Sequence, residues 1–253
     1  MSSQAGLRER KKDQTRRRIA TTAIGLFLER GFEAVSVADV AAAADVSKMT
    51  VFNYFPAKED LFFGAGATIY PDLADAVRDR EPETNPIEAI REFVRSELQR
   101  RAEWTGLHDG VAPFARMLLG SPALTTALEG RMSAMRENLV AALEEAAGFS
   151  PAHHTGDWVE QALRSDAAGG ASSSDEPDLG ELTADRLIPR MVAEQTFAVI
   201  QTLMMANLLR QVAGINADAS ASEALRTLDI GFDLLAGGLA DFPAISFPAK
   251  SAD

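Results

Sequence analysis

Lys48, Met49, Thr50, Asn53 and Tyr54 fall within SKMTVFNYFPAKEDL, residues 47 to 61. If this stretch is helical, Val51, Phe52 and Phe55 face inward and those five side chains face outward. The outer face is nearly uncharged, whereas a solvated helix face carries Glu and Lys. Asn53 offers a paired donor and acceptor, Thr50 a hydroxyl and Met49 an apolar surface. Such a set suits matched hydrogen bonds and contact with a partner better than ion pairing. Other chemistries are poorly supplied. The absence of cysteine excludes disulfides, thiolate metal sites and cysteine nucleophiles. There is no G-x-S-x-G elbow and no P-loop, and Gly64-Ala65-Gly66 lacks a third glycine and a preceding strand. No spacing singles out a catalytic pair of carboxylates. His153 and His154 fall in an expected loop as solvated side chains, and no other cluster has metal-ligand spacing, so no metal, cofactor or enzymatic role is expected.

The elements that must position the outward residues are short helices. Residues 13 to 30 place Ile19, Ala23, Leu26 and Phe27 on one stripe, and Gly31 stands where a left-handed stop is needed. Ser36 and Asp39 have the spacing of a capping box ahead of a second helix with Val37, Val40, Ala41 and Ala44 on its apolar side. After a break at 44 to 46, Ser47 caps the third helix, and Pro56 closes it because the residue before proline resists helical backbone. Ala57, Lys58, Glu59 and Asp60 restart a helix with acidic residues in its first turn. Two helices of about seven residues joined by a four-residue turn form a helix-turn-helix pattern over about 36 to 55.

Thr15-Arg16-x-x-Ile19, Ala23-x-x-Leu26-Phe27-x-x-x-Gly31-Phe32, Val35-Ser36-Val37-x-x-Val40-Ala41, Ala44-Asp45-Val46-Ser47, Thr50-Val51-Phe52-Asn53-Tyr54-Phe55 and Lys58-Glu59-x-Leu61 resemble the amino-terminal signature of the TetR family of bacterial transcriptional regulators. The resemblance covers about fifty residues. It departs from the family at Asp45, where glycine is usual in the turn, and at Phe52, where tyrosine is usual. Asp tolerates a left-handed backbone, and Phe52 is expected to keep a buried ring without its hydroxyl.

Charge is unevenly spread. The formal net charge is -12, yet residues 1 to 60 hold ten Lys/Arg against eight Asp/Glu, and residues 1 to 18 hold seven against two. A basic arm on an acidic body suggests a nucleic-acid module joined to something else. Arg8, Arg10, Lys11, Lys12, Arg16, Arg17 and Arg18 suit phosphate or minor-groove contact, and the first dozen residues are expected to be disordered without DNA. No signal peptide is visible. The longest charge-free apolar run near the carboxyl end, residues 195 to 209, is too short and too polar for a membrane span. A cytoplasmic, all-α protein is expected.

Beyond the signature, helices are predicted near 57 to 79 (interrupted around Pro71), 86 to 103, 109 to 119 and 122 to 147, with Ser121-Pro122 as a cap and first-position proline. Residues 166 to 180 read as a loop. A helix over about 185 to 213 takes Pro189 in its opening turn and carries no charge between Glu194 and Arg210. A second, over about 221 to 240, opens with Ser220 and Glu223 and aligns Leu225, Leu228, Phe232, Leu235 and Leu239. Two such helices at the chain end suggest a subunit interface, to which Val199 and Leu203 also belong.

The resemblance implies an amino-terminal DNA-binding domain (residues 1 to 62) and a helical effector-binding and dimerisation domain (residues 63 to 253). It further implies a homodimer joined by its last two helices, and a repressor of a pseudo-palindromic operator that a small-molecule effector releases by shifting the fourth helix. Helix 3 becomes the recognition helix. Asn53 is then matched to adenine, Thr50 to phosphate or a thymine methyl, and Met49 to apolar contact. Ser47, Lys48, Tyr54, Lys58 and Arg16 serve the backbone, with Ser36 and Thr15 near helix starts whose amides face phosphate. Trp104, His108, Phe114, Met117, Met132, Met135, Phe197, Met204 and Met205 are candidate pocket residues, although plain core explains Met and aromatic side chains at helical spacing equally. The alternatives are a helical enzyme or a protein-interaction module that does not bind DNA.

Overall fold

A computed structural model describes residues 2–64, 71–108, 110–149 and 184–240. Among the described residues the regular structure is helical and contains no strand. The helices are α1 (Ser2–Arg30), α2 (Val37–Ala43), α3 (Lys48–Tyr54), α4 (Lys58–Phe63), α5 (Leu73–Arg78), α6 (Pro86–Gln99), α7 (Val111–Gly120), α8 (Pro122–Ala146), α9 (Ala184–Val212) and α10 (Ala217–Ala240). The expected loop over 166 to 180 and the His153-His154 pair lie outside the described residues, as do the side chains of Arg8 and Leu239.

Three boundaries differ from expectation. Helix α1 begins at Ser2, not near residue 13, so the basic segment is helical where a disordered arm was expected. Its Ala, Leu, Gln, Glu, Arg and Lys are all strong helix formers, which accounts for the extension. The predicted helix over 86 to 103 stops at Gln99, and a separate 3-10 turn covers Glu103–Thr105. Helix α10 starts one turn before Ser220 because Asn216 Oδ1 accepts the Ala219 N–H (2.8 Å), while the Ser220 hydroxyl bonds back to the Asn216 carbonyl.

The chain forms two compact units. One comprises Met1–Pro71, Leu98–Arg131 and Met204–Ser222; the other comprises Asp72–Glu97, Met132–Leu203 and Glu223–Asp253.

The first unit is built on Ile19, Ala23 and Phe27 of α1, Val40 and Ala41 of α2, Val51 of α3 with Phe55 after it, and Leu61, Phe62 and Phe63 of α4. Leu118 and Leu124 join the same core, and Phe114 stacks on Phe62 with ring centroids 4.1 Å apart. Arg131 pairs with Asp60 and lies 4.8 Å from the Phe63 ring centroid, so α4 is also held from α8. Gly31 stops α1 at φ +85° with its N–H on the Phe27 carbonyl (2.8 Å). Gly64 is required by close approach, since an added Cβ would strike the Phe55 ring.

In the second unit, α6 and α10 are joined by ion pairs. Asp229 accepts from Arg91 (2.8 Å) and from Arg95, and Arg91 also reaches Asp233 (3.0 Å). Hydrogen bonds from Arg95 first and Arg91 next hold the Asp229 carboxyl below the usual carboxylate range. Helix α9 meets α8 through the bidentate pair Arg190–Glu137 (2.8 and 3.0 Å). Helices α9 and α10 come close at Gly231, where an added Cβ would strike Val199.

Candidate nucleic-acid interface

Each part of the helix-turn-helix has a local cause. The Ser36 hydroxyl accepts the Asp39 N–H (3.2 Å), while the Asp39 carboxylate takes the Ser36 hydroxyl (2.6 Å) and N–H (2.8 Å). This completes the capping box and holds the Asp39 carboxyl below its ordinary pKa, the Ser36 hydroxyl bond contributing most. Helix α2 then ends in a Schellman arrangement: Val46 N–H bonds to the Ala41 carbonyl (3.0 Å) and Asp45 N–H to that of Ala42 (3.3 Å). Asp45 is left-handed at φ +52°, so the turn that usually takes glycine is made by an aspartate. Ser47 caps α3, accepting the Thr50 N–H (3.0 Å) and sharing a hydrogen bond with the Thr50 hydroxyl (2.8 Å).

The face that α3 presents differs from the expected one by a single residue. Val51 and Phe55 are buried, but Phe52 is 39% exposed and Tyr54 is partly buried against the core. With 3.6 residues per turn, Phe52 and Tyr54 lie on opposite flanks of the Val51–Phe55 seam, and only one can turn in. Tyr54 does so, and Phe52 faces out beneath the Lys48 ammonium, 5.8 Å from its ring centroid. Around the helix, Phe52, Met49, Asn53 and Thr50 therefore follow one another, with Met49 69% exposed.

The other expected DNA contacts divide into free and engaged groups. Lys48 and Asn53 are exposed. Arg16 stacks over Phe55, its guanidinium carbon 5.1 Å from the ring centroid. Thr15 is not near a helix start: it lies midway along α1, its hydroxyl bonded to the Lys11 carbonyl (2.9 Å), because α1 extends so far toward the amino end. Lys58 is part-buried, donating to the Phe32 carbonyl (3.0 Å) with its ammonium 4.1 Å from the Phe32 ring centroid. That ammonium ties the end of α1 to the start of α4, a role the sequence reading did not foresee. The Ser36 and Ser47 hydroxyls are likewise occupied by their caps.

A family model described as "Bacterial regulatory proteins, tetR family" matches residues 19–65, the helices just described. Residues 19–65 are therefore similar to the DNA-binding segment of the TetR family. The chain is 33% identical over 116 residues to the HTH-type transcriptional regulator TcmR of Streptomyces glaucescens, covering 45% of this chain and 51% of TcmR. It is 27% identical over 131 residues to the HTH-type transcriptional regulator RutR of Escherichia coli K12, covering 51% of this chain and 60% of RutR. The chain thus spans about half the length of the curated relatives it matches. The crystal structure of NalD from Pseudomonas aeruginosa, titled as the secondary repressor of the MexAB-OprM multidrug efflux pump, aligns with a TM-score of 0.49 at 19% identity, over 87% of this chain and 96% of NalD.

The remaining candidate residues scatter. Trp104 and His108 do not share a helical face, because Gly106 turns the chain at φ +69° between them. Phe114 and Met117 pack on the core of the first unit, where Met204 is also buried; Met135 and Phe197 belong to the second unit, with Arg136 over the Phe197 ring at 5.1 Å. Of the expected dimer residues, Leu203, Leu228, Phe232 and Leu235 are buried within the single chain, and Val199 and Leu225 are half-buried. Their strict stripe is the inner, core-facing side of α9 and α10. The outward side of the second unit carries Met191 (54% exposed), Ile230 (50%) and Leu234 (72%), with Gln195, Ala198 and Thr202 also exposed. Among the described residues, no helix is long and apolar enough to cross a membrane.

Proposed function

We propose that the protein is a dimeric repressor that inserts two copies of α3 into successive major grooves of a pseudo-palindromic operator and is released by a small-molecule effector. Residues 1 to 62 take the DNA-reading role, and residues 63 to 253 the effector and dimerisation roles. The observation that carries the reading is the exposed, hydrogen-bonding face of α3, rigidly capped by Ser47 and backed by buried Val51 and Phe55.

On this face Asn53 pairs with an adenine edge and Met49 contacts bases, while Lys48 and Thr50 meet phosphate at the ends of the helix. Tyr54 places its hydroxyl at the backbone from its partly buried position. Exposed Arg10, Lys11, Arg17 and Arg18 of α1 add phosphate contacts, and Arg16 does so from above Phe55. The half-sites lie about one helical turn apart, roughly 34 Å, or a multiple of it. Dimerisation uses the outward residues Ile230 and Leu234 of α10 with the Met191 side of α9. The effector acts on α4, which is gripped by the Phe62–Phe114 stack and the Arg131–Asp60 pair. By reciprocity, it weakens DNA binding only as much as DNA weakens its own binding.

Selection of bound sequences from random DNA tests the reading. Enrichment of a two-fold symmetric site is the expected result; failure to enrich any sequence ends it. Screening metabolites for release of that site then tests the effector.

A further inference from the structure

Phe52 was expected in the core, and its exposure requires an account. At 39% exposed, Phe52 forgoes only part of the roughly 1.5–3 kcal/mol that full burial of a phenylalanine contributes. Isolated exposed apolar residues are ordinary, but Phe52 stands three residues from Met49 on one seven-residue helix, and i, i+3 side chains are neighbours. Together they form an apolar strip beside Asn53, running from the flank of the Val51–Phe55 seam to the exposed side of α3.

The chemistry of the ring narrows its partner. Without a hydroxyl, Phe52 has no hydrogen to donate to a phosphate and no lone pair for a base amine. The Lys48 ammonium lies 5.8 Å from the ring centroid, and the residue keeps 39% of its surface exposed for contact. In the major groove, the apolar group on a base edge is the C5-methyl of thymine. Lys48 next to the ring also brings the positive charge that phosphate neighbours demand and that a second copy of this basic helical surface would repel.

We infer that Phe52 is a specificity-determining residue that reads the C5-methyl of a thymine in each operator half-site, adjacent to the base pair read by Asn53. This rests on the reading of α3 as the DNA-facing helix. Thymine is therefore selected at that position by its methyl group and not by its hydrogen-bonding edge.

The experiment uses the full-length protein and the selected operator, with each thymine replaced singly by deoxyuridine, which removes the methyl and nothing else. One position per half-site is expected to lose about fourfold in affinity, and about fifteenfold when both half-sites are changed, as one buried carbon implies. Phe52→Ala is expected to bind the thymine and deoxyuridine operators equally, with an unchanged melting temperature because the ring lies outside the core. Methyl sensitivity that survives in Phe52→Ala, or that vanishes only in Met49→Ala, overturns the assignment. A Phe52→Ala variant that weakens thymine, deoxyuridine and random DNA alike overturns it in favour of backbone contact. If no position responds to deoxyuridine while the operator still binds, the inference fails and the DNA-binding reading stands; if nothing is selected from random DNA, both fall.

Discussion

Two surfaces of this protein leave uncharged residues in water, and they differ in kind. On α3 the exposed set mixes Phe52 and Met49 with Asn53, and half-buried Thr50 lies beside it. On α9 and α10 it is Met191, Ile230 and Leu234 with small residues such as Ala198 and Gly237, whose missing Cβ has open space around it. Lys48 borders the first set, and Glu194 and Asp233 are exposed beside the second, so each apolar surface is edged by charge. The hydrogen-bonding side chains suit base edges, which display a fixed donor and acceptor pattern. The aliphatic face suits a second copy of itself, which an isologous contact buries on both sides.

The sharpest way to break this contrast is to charge the aliphatic face. The double variant Ile230→Glu/Leu234→Glu should raise the dimer dissociation constant by about three orders of magnitude, since central apolar anchors each contribute about 2 kcal/mol or more. Sedimentation velocity at micromolar concentration should show monomers. A persistent dimer would mean that the aliphatic face has some other partner.

Next in size is Asn53→Ala, expected to relax preference at one base pair by about 1 to 3 kcal/mol in competition binding. Equal loss on specific and random DNA would remove Asn53 from base reading and make the α3 face a backbone surface.

Smaller effects separate the cations. Lys58→Ala should lower stability by about 1 kcal/mol in urea titration, because its ammonium serves the Phe32 carbonyl, and should leave the salt dependence of DNA binding unchanged. Arg17→Ala or Arg18→Ala should do the reverse, flattening the slope of log affinity against log salt by about one. A flattened slope in Lys58→Ala would return that residue to the phosphate contacts.

The least effect concerns acid. Asp229 has a carboxyl lowered by Arg95 and Arg91, so the stability it contributes is fully present above the ordinary carboxylate value, about 4, and is lost as pH falls through the depressed native value. Urea midpoints followed from pH 7 down to pH 3 should fall less steeply in Asp229→Asn than in the parent protein. Parallel curves would show that the α6–α10 ion pairs contribute nothing to acid sensitivity.

Much of the amino-terminal fold was legible because its signals are local. Ser36 with Asp39, Ser47 ahead of Thr50, Gly31 after Phe27 and Pro56 after Phe55 act over three or four residues, and each stands as its spacing predicts. The reach of α1 was misjudged because charge was read as disorder while the same residues favour helix. The contact of Lys58 with Phe32 was not legible because the two lie 26 positions apart. The long stripe of α10 was seen correctly as apolar, but periodicity reports only that a face is buried and cannot say whether the same chain or a second one covers it.

By itself the sequence determined the helical content and the caps and turn of the helix-turn-helix, since these depend on residue type at short separations. Tertiary packing alone decided which flank of α3 turns inward, that Phe52 stands in the open, that Lys58 is held by Phe32 and that Leu228 and Phe232 belong to the chain's own core. The physical reason is the same in each case. A residue on the border of an apolar stripe gains nearly as much from either side, and the choice is made by where distant side chains pack against it.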